Sequence, residues 1–265
     1  MKAKVLVDEE RPKVDPEEIR SAIRKAGLRV VTRNPDVGIV VGGDGIFSRY
    51  GRTEDAPLLF VGVKSNRATG SKAFMAQTYF DEIGDALGKL KRGEYRVREC
   101  ARLEVLKNGK SLGEVFTDAY LQRGDESNAI RYRVKVTGEG VDIDEAGIGD
   151  GVVVTTWAGS TGYFSYPDRI VEEDFDPDEH TELPDGKVGI CHIVPTFTER
   201  AGSSVRPLRY SVPWGSRVEV WLTRRADARL YGVETGRGGV KVSSKDRVVI
   251  QAGRGKTKLV ELDVG

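Results

Sequence analysis

The sequence Val-Gly-Ile-Val-Val-Gly-Gly-Asp-Gly, at residues 37–45, joins a short apolar run to three glycines that surround one carboxylate. The apolar run predicts a buried strand, because short apolar segments bounded by turn residues are typical of sheets covered on both faces. A backbone rich in glycine can approach a polyphosphate closely. The stretch therefore predicts a strand that delivers Asp44 to a phosphoryl-transfer site. An ordinary tight turn that Asp44 merely caps is the alternative.

Strands and helices alternate on both sides of this stretch. The order Asp15-Pro16-Glu17-Glu18 is typical of a helix start, and Gly27 is expected to end that helix. Further strands are predicted at residues 4–7, 28–31 and 57–63, and a second helix at residues 73–90. The alternation predicts an α/β domain with an open, Rossmann-like sheet.

The pattern changes after Gly93, where short β-rich segments are separated by Gly, Asn or Asp turns and no comparable helix follows. This pattern predicts an all-β domain. We place the boundary near residue 97, which gives an α/β domain at residues 1–97 with the glycine-rich loop, and a β-rich domain at residues 98–265. Residues 172–186 are acidic and lack periodicity, so they are expected to form an exposed loop.

The composition gives no bias toward a large anionic partner. Lys and Arg number 42 against 41 Asp and Glu, a net charge of +1, so neither nucleic acid nor an anionic membrane is an expected partner. The apolar stretch at the N-terminus is too short for a signal peptide and no segment approaches a membrane span, so a cytoplasmic location is expected. Two Cys and two His form no zinc pattern.

A second informative segment occupies residues 150–163. Asp150 precedes an apolar strand, and the strand leads to Gly159-Ser160-Thr161-Gly162-Tyr163. Two hydroxyls between glycines, followed by an aromatic ring, offer backbone amides, polar side chains and a stacking surface together, which suits a nucleotide. A β-turn with internally bonded hydroxyls is the alternative.

These two segments, in this order, resemble the NAD kinase family, whose second block reads Asp, strand, and then Thr-Gly-Ser-Thr-Ala-Tyr. The resemblance implies a two-domain NAD kinase-like fold with the dinucleotide in the cleft between the domains. It also implies transfer of phosphate from ATP or polyphosphate to the adenosine 2′-hydroxyl of NAD, which forms NADP. Mg²⁺ is the expected cofactor, and a homodimer or homotetramer is the expected assembly.

The resemblance also assigns roles to residues of this chain. Asp44 is expected to be the catalytic base, with Gly42, Gly43 and Gly45 around the phosphates. Thr117 and Asp118 stand where the family carries an Asn-Glu pair that recognises adenosine. The expected NAD-binding residues are Thr117, Asp118, Asp150, Ser160, Thr161 and Tyr163. No protein side chain is assigned to a metal.

The chain departs from the family pattern at several positions that handle ligands. Ile46 replaces the usual Thr after Gly-Gly-Asp-Gly, and Tyr231-Gly232 stands where the family often has Asp-Gly. Arg206-Pro207 is similar to a family Arg-Pro segment. Two other functions therefore remain open: a nucleotide-binding protein of this fold without turnover, and a lipid kinase, since diacylglycerol and sphingosine kinases also carry Gly-Gly-Asp-Gly.

Overall fold

The computed structural model describes residues 1–10, 12–63, 73–171, 182–233 and 238–262. The chain forms two compact units. The first combines Met1–Cys100 with Lys256–Gly265, and the second is Ala101–Gly255. Within the described ranges, no helix is long and apolar enough to cross a membrane.

The first unit is built on a parallel sheet whose strands run in the order β2, β1, β3, β4. The final strand of the chain, β18, also pairs in parallel with β4, through Leu259 and Leu58. Ile19 and Ile23 on α1, Ile39 on β3 and Leu87 on α3 are among its core residues. The elements are β1 (Lys2–Leu6), α1 (Pro16–Lys25), β2 (Arg29–Val30), β3 (Val37–Val41), α2 (Asp44–Thr53), β4 (Leu58–Gly62), β5 (Thr78–Tyr79), α3 (Ile83–Arg92) and, from Lys256 onward, β18 (Val248–Leu262), whose first part belongs to the second unit.

The predicted start of α1 is present in the structure. The side chain of Asp15 accepts a hydrogen bond from the Glu17 amide at 2.8 Å, and Pro16 occupies the first turn. Gly27, with φ +76°, follows the helix in the left-handed conformation that glycine adopts without strain.

The predicted helix at residues 73–90 is wrong in its first half. The Gln77 amide donates to the Phe60 carbonyl, and Thr78 pairs with Val61 as β5 joins β4. Pairing with an existing strand thus overrides helical periodicity, and the helix begins only at Ile83. A helix that was not predicted, α2, begins at Asp44 inside the segment expected to be a loop.

The second unit consists of two antiparallel sheets. One has the strand order β13, β10, β9, β15, β18, and the other β14, β12, β11, β8, β16, β17; β6 pairs with β18 and β7. In the described part of this unit, α4 is the single α-helix. The elements are β6 (Tyr95–Lys107), β7 (Lys110–Val115), β8 (Asp118–Arg123), β9 (Ile130–Gly138), β10 (Val141–Gly149), β11 (Gly151–Thr155), α4 (Tyr166–Val171), β12 (Lys187–Ile193), β13 (Phe197–Arg200), β14 (Arg209–Pro213), β15 (Arg217–Leu222), β16 (Ala228–Tyr231) and β17 (Val240–Val242).

Strand alternation explains the core of this unit. On β9, Tyr132, Val134 and Val136 are buried while the intervening residues are more exposed, as expected for a strand with one covered face. The same core contains Val152 and Val154 of β11. The α/β and β-rich composition predicted from the sequence is confirmed.

The predicted division at residue 97 assigned all of residues 98–265 to the β-rich domain. Lys256–Gly265 groups with the first unit, because Val260 lies in its apolar core and the Thr257 hydroxyl donates to the Gly51 carbonyl. Of the expected acidic loop at 172–186, residues 172–181 lie outside the described part of the chain. Leu183 is buried in a small apolar cluster with Val153.

Candidate functional site

The Gly-Gly-Asp-Gly segment is the junction between β3 and α2. β3 ends at Val41, Gly43 is the N-cap of α2, and Asp44 is the first residue of the helix. The amides of Ile46 and Phe47 donate to the Gly43 carbonyl, which closes the first turn. Asp44 therefore lies at the carboxyl end of a parallel strand, where open α/β sheets bind their ligands.

The start of α2 is held firmly by packing. The buried ring of Phe47 stacks on Phe60, with centroids 4.5 Å apart and an interplanar angle of 5°. The Tyr50 hydroxyl donates to the Val7 carbonyl at 2.6 Å. Burial raises the pKa of Tyr50, so this hydroxyl remains a donor at neutral pH.

The glycines of the segment have different steric surroundings. A Cβ at Gly42 would lie 3.1 Å from the Ile46 Cβ, so the side chain of Ile46 itself occupies the space above Gly42. At Gly45, no described heavy atom beyond the adjoining backbone lies within 4 Å of the Cβ position. The amide end of α2 is thus accessible at Gly45, and helix amide ends favour anions such as phosphate.

In the second unit, the Thr117-Asp118 segment lies beside the end of β11. Asp118 is the register partner of Thr155. The Thr117 carbonyl accepts hydrogen bonds from the Thr156 amide at 2.8 Å and from the Thr155 hydroxyl at 3.2 Å. Two segments that lie far apart in the sequence, residues 117–118 and 155–156, therefore form one corner held by strand pairing and hydrogen bonds.

The loop after β11 packs against that corner. A Cβ at Gly159 would lie 2.7 Å from the Thr117 carbonyl oxygen, and one at Gly162 would lie 3.5 Å from Oδ2 of Asp118. The structure therefore brings five of the predicted NAD-binding residues together within the second unit: Thr117, Asp118, Ser160, Thr161 and Tyr163.

Hydroxyl groups fix the shape of the loop from within. The Ser160 hydroxyl donates to the Trp157 carbonyl at 2.8 Å, and Ser160 is buried. The Ser165 hydroxyl lies 3.0 Å from the Thr161 carbonyl oxygen and 2.9 Å from that of Gly162. Tyr163 by contrast is 41% exposed, so its ring is available to a ligand.

Asp150 lies apart from the other candidates. It precedes β11, whereas the loop follows β11, and a strand of five residues spans roughly 16 Å. Its carboxylate is paired with Arg123 at 2.7 Å, and its amide donates to the Ile193 carbonyl. Its contacts in the structure are those of a strand-end residue.

Two tyrosines beside the loop are not among the NAD-binding residues predicted from the sequence. Tyr120 on β8 and Tyr231 on β16 are register partners. Their rings stack with centroids 5.1 Å apart, and Tyr163 contacts Tyr120 edge to face at 5.3 Å. The signal lay in strand pairing, which a single sequence does not reveal.

A buried polar cluster within the second unit was also missed. The fully buried carboxylate of Glu145 accepts from the Arg200 guanidinium at 2.7 Å and from the Tyr210 hydroxyl at 2.8 Å. It also lies 3.1 Å from Nε2 of His192, whose Nδ1 is 2.9 Å from the Tyr132 hydroxyl. Burial alone would raise the pKa of Glu145, but the hydrogen bonds from His192, Tyr210 and Arg200 together lower it.

In the described residues no protein metal centre stands out, and the buried thiol of Cys191 is unreactive. Over these residues, no group of three or more His, Cys, Asp or Glu side chains could hold a metal ion. Burial raises the pKa of Cys191 to about 12, so its thiol is protonated at neutral pH.

Comparison with curated proteins finds archaeal NAD kinases. The NAD kinase of Picrophilus torridus is 31% identical over 142 residues, which cover 54% of this chain and 49% of that protein. Those of Thermoplasma volcanium and Saccharolobus islandicus are 28% and 31% identical over 139 and 148 residues, or 52% and 56% of this chain and 48% and 54% of theirs. The chain thus matches about half the length of these relatives. No protein-family model matches it.

Comparison with solved structures identifies the fold over nearly the whole chain. An NAD kinase from Archaeoglobus fulgidus in complex with ATP has a TM-score of 0.65 at 19% identity, covering 99% of this chain and 94% of that one. Yeast NADH kinase complexed with NADH has a TM-score of 0.70 at 13% identity, covering 99% and 84%. The fold class inferred from the sequence is confirmed, as is the resemblance to the NAD kinases.

Proposed function

We propose that this relative of the archaeal NAD kinases transfers a phosphate from ATP or polyphosphate to the adenosine 2′-hydroxyl of NAD and so forms NADP. The observation that carries the proposal is the position of Asp44, a carboxylate in the first turn of α2 at the carboxyl end of β3. A phosphoryl-transfer enzyme needs an oriented acceptor hydroxyl, a base for its proton and compensation of phosphate charge. In this proposal the junction of β3 and α2 supplies the base and the compensation of phosphate charge.

Asp44 is the proposed base. Its carboxylate would accept the proton of the 2′-hydroxyl as the hydroxyl oxygen attacks the terminal phosphorus and the donor's bridging oxygen leaves. The neighbouring backbone of Gly42, Gly43 and Gly45 would receive the phosphates, with the helix dipole favouring their negative charge. The open space at Gly45 supports this assignment.

The corner in the second unit is the proposed dinucleotide site. Asp118, with acceptor oxygens only when ionised, suits ribose hydroxyls or the adenine amino group. Thr161 and the loop backbone offer further polar groups, and Tyr163 offers a ring. Thr117 and Ser160 would act chiefly through the loop geometry that their hydrogen bonds fix. Asp150 enters the proposal through the family motif alone.

Mg²⁺ would enter with the donor and neutralise phosphate charge. The proposal further includes a homodimer or homotetramer and a cytoplasmic location.

Incubation with NAD, ATP and Mg²⁺ followed by an NADP-specific assay tests this function, with polyphosphate as donor in a parallel reaction. NADP formation that depends on a donor is the expected result. Binding of NAD without NADP from either donor would instead identify a nucleotide-binding protein without turnover. In a further parallel reaction diacylglycerol replaces NAD as the acceptor. Phosphorylation of diacylglycerol, together with no phosphorylation of NAD, would identify a lipid kinase.

A further inference from the structure

Three tyrosine rings from three different elements meet in the second unit. Tyr120 comes from β8, Tyr231 from β16, and Tyr163 from the loop after β11. Tyr120 stacks on Tyr231 with an interplanar angle of 19°, and Tyr163 meets Tyr120 at 62°. Both separations, 5.1 and 5.3 Å, lie in the range where aromatic pairs attract each other beyond simple burial.

The rings of Tyr120 and Tyr231 belong to strand residues, so the sheet fixes their backbone. Tyr120 is paired in register with Val153 on one side and with Tyr231 on the other, so its backbone is fixed by two neighbouring strands. Its side chain packs against the apolar cluster that contains Val153 and Phe164. Gly239, with φ +63°, approaches the Tyr231 ring so closely that a Cβ there would lie 2.8 Å from it. The Tyr120 and Tyr231 rings are thus held on several sides.

Tyr163 is the exposed member of the group. It follows Gly162 directly and begins a short 3₁₀ turn, and 41% of its surface remains accessible. An exposed ring on a loop would sample several rotamers if it had no neighbour, and ordering it would then lower ligand affinity. Contact with Tyr120 limits that freedom before any ligand arrives.

We propose that Tyr120 and Tyr231 are positioning residues that hold the Tyr163 ring as a stacking surface for a heteroaromatic base of NAD. The inference rests on the proposed function, because it takes NAD as the ligand of this loop. Tyr163 contacts the base, Tyr120 fixes Tyr163, and Tyr231 supports Tyr120 from the next strand. The position of the Tyr163 ring therefore depends on Tyr120 directly and on Tyr231 through Tyr120.

The test compares Tyr120→Leu with Tyr120→Phe. Leu removes the ring, whereas Phe keeps the ring and removes only the hydroxyl. Tyr120→Leu is expected to weaken NAD binding in calorimetry roughly three- to tenfold, the size of an aromatic pair contribution. The KM for NAD should rise by the same factor, while kcat and the KM for the phosphate donor stay within about twofold. Tyr120→Phe should restore the parent values for NAD.

A spectroscopic measurement reports on the ring itself. In protein labelled with 3-fluorotyrosine, Tyr163→Phe assigns the fluorine resonance of Tyr163. Tyr120→Leu should shift and narrow that resonance as the ring gains freedom. Tyr231→Leu is a second variant, which should produce a smaller shift and a smaller loss of NAD affinity.

The outcomes separate the two ideas. Parent-like NAD affinity in both Leu variants, or equal losses in Tyr120→Phe and Tyr120→Leu, would overturn the positioning role while the kinase function stands. A parent protein that binds no NAD would overturn the proposed function and this inference with it. If Tyr120→Leu fails to fold, the Tyr231→Leu variant tests the proposal in its place. An unchanged Tyr163 fluorine resonance in Tyr231→Leu would overturn the proposal.

Discussion

Asp118 faces Thr155 across the paired strands β8 and β11, and its carboxylate lies beside Gly162 in the loop that follows β11. The pairing brings together two segments that lie well apart in the sequence. Each contains residues that the sequence assigned to one dinucleotide. The relationship supports the assignment, because antiparallel pairing leaves the start of β8 and the end of β11 at the same edge of the sheet.

Asp44→Asn is expected to abolish phosphoryl transfer and leave the fold intact. The amide has nearly the same shape as the carboxylate but cannot accept the hydroxyl proton, and loss of a general base lowers kcat by about two to four orders of magnitude. Steady-state kinetics with NAD and ATP measures the effect. Asp55→Asn, at an exposed acid of the same unit, is the control and should keep parent activity. Near-parent turnover in Asp44→Asn would remove this residue from the mechanism.

Gly45→Ala tests whether phosphate approaches the start of α2. Gly84→Ala is its control, since Gly84 occupies the second position of α3 as Gly45 does in α2, and both Cβ positions are open. Either change should leave stability unchanged or raise it by up to about 1 kcal/mol, because Ala favours helix. Only Gly45→Ala should raise the KM for the phosphate donor. Equal kinetics in the two variants would place the donor elsewhere.

Gly159→Ala should damage both the loop and the stability of the second unit. The new Cβ would lie 2.7 Å from the Thr117 carbonyl oxygen and closer still to the Thr155 hydroxyl, and the Thr117 backbone cannot swing aside as a flexible side chain could. Overpacking of this kind costs about 1–3 kcal/mol. Thermal unfolding should show the loss, and calorimetry should show weaker NAD binding. Gly186→Ala is not a suitable control, because φ is +75° there; Gly84→Ala serves again.

Glu145→Gln should lower stability by about 3 kcal/mol at pH 7, because removing one member of a buried charged cluster leaves its partners unpaired. The pKa of Glu145 is lower in the folded protein than in the unfolded chain, so its stabilisation is complete above the unfolded pKa and is lost as pH falls through the folded one. The gap between parent and variant should therefore narrow below about pH 4.5.

Urea unfolding at pH 7 and at pH 3.5 measures that gap. Asp142→Asn, at an exposed acid on the same strand, should leave stability within about 0.5 kcal/mol of the parent at either pH. A gap that stays constant with pH would show that ionised Glu145 does not support the fold.

Local patterns in the sequence predicted the features that depend on neighbouring residues. The cap at Asp15, the stop at Gly27 and the apolar strand at Val37–Val41 all depend on interactions within a few positions. The start of α2 was missed because two glycines and an acid read equally well as a turn. Helical periodicity gave a wrong prediction at Thr78, because the backbone there pairs with β4 as a strand.

The candidate site, like the fold, was predictable where it depends on motifs of neighbouring residues. Its motif residues were visible in the sequence, and five of the six predicted NAD-binding residues lie together. What could not be predicted is contact across strands, such as Tyr120 with Tyr231 or Glu145 with His192. Those contacts depend on register, and a shift of one residue would turn each side chain to the opposite face.

The pairing of β18 with β4 has a consequence for synthesis on the ribosome. Residues up to Cys100 emerge well before Leu259, which pairs with Leu58 of β4, and before Val260, which lies in the apolar core of the first unit. At ordinary elongation rates the intervening residues take roughly ten to thirty seconds to translate. During that interval β4 lacks this neighbour, so the nascent α/β sheet carries an open edge beside Leu58 until β18 is made.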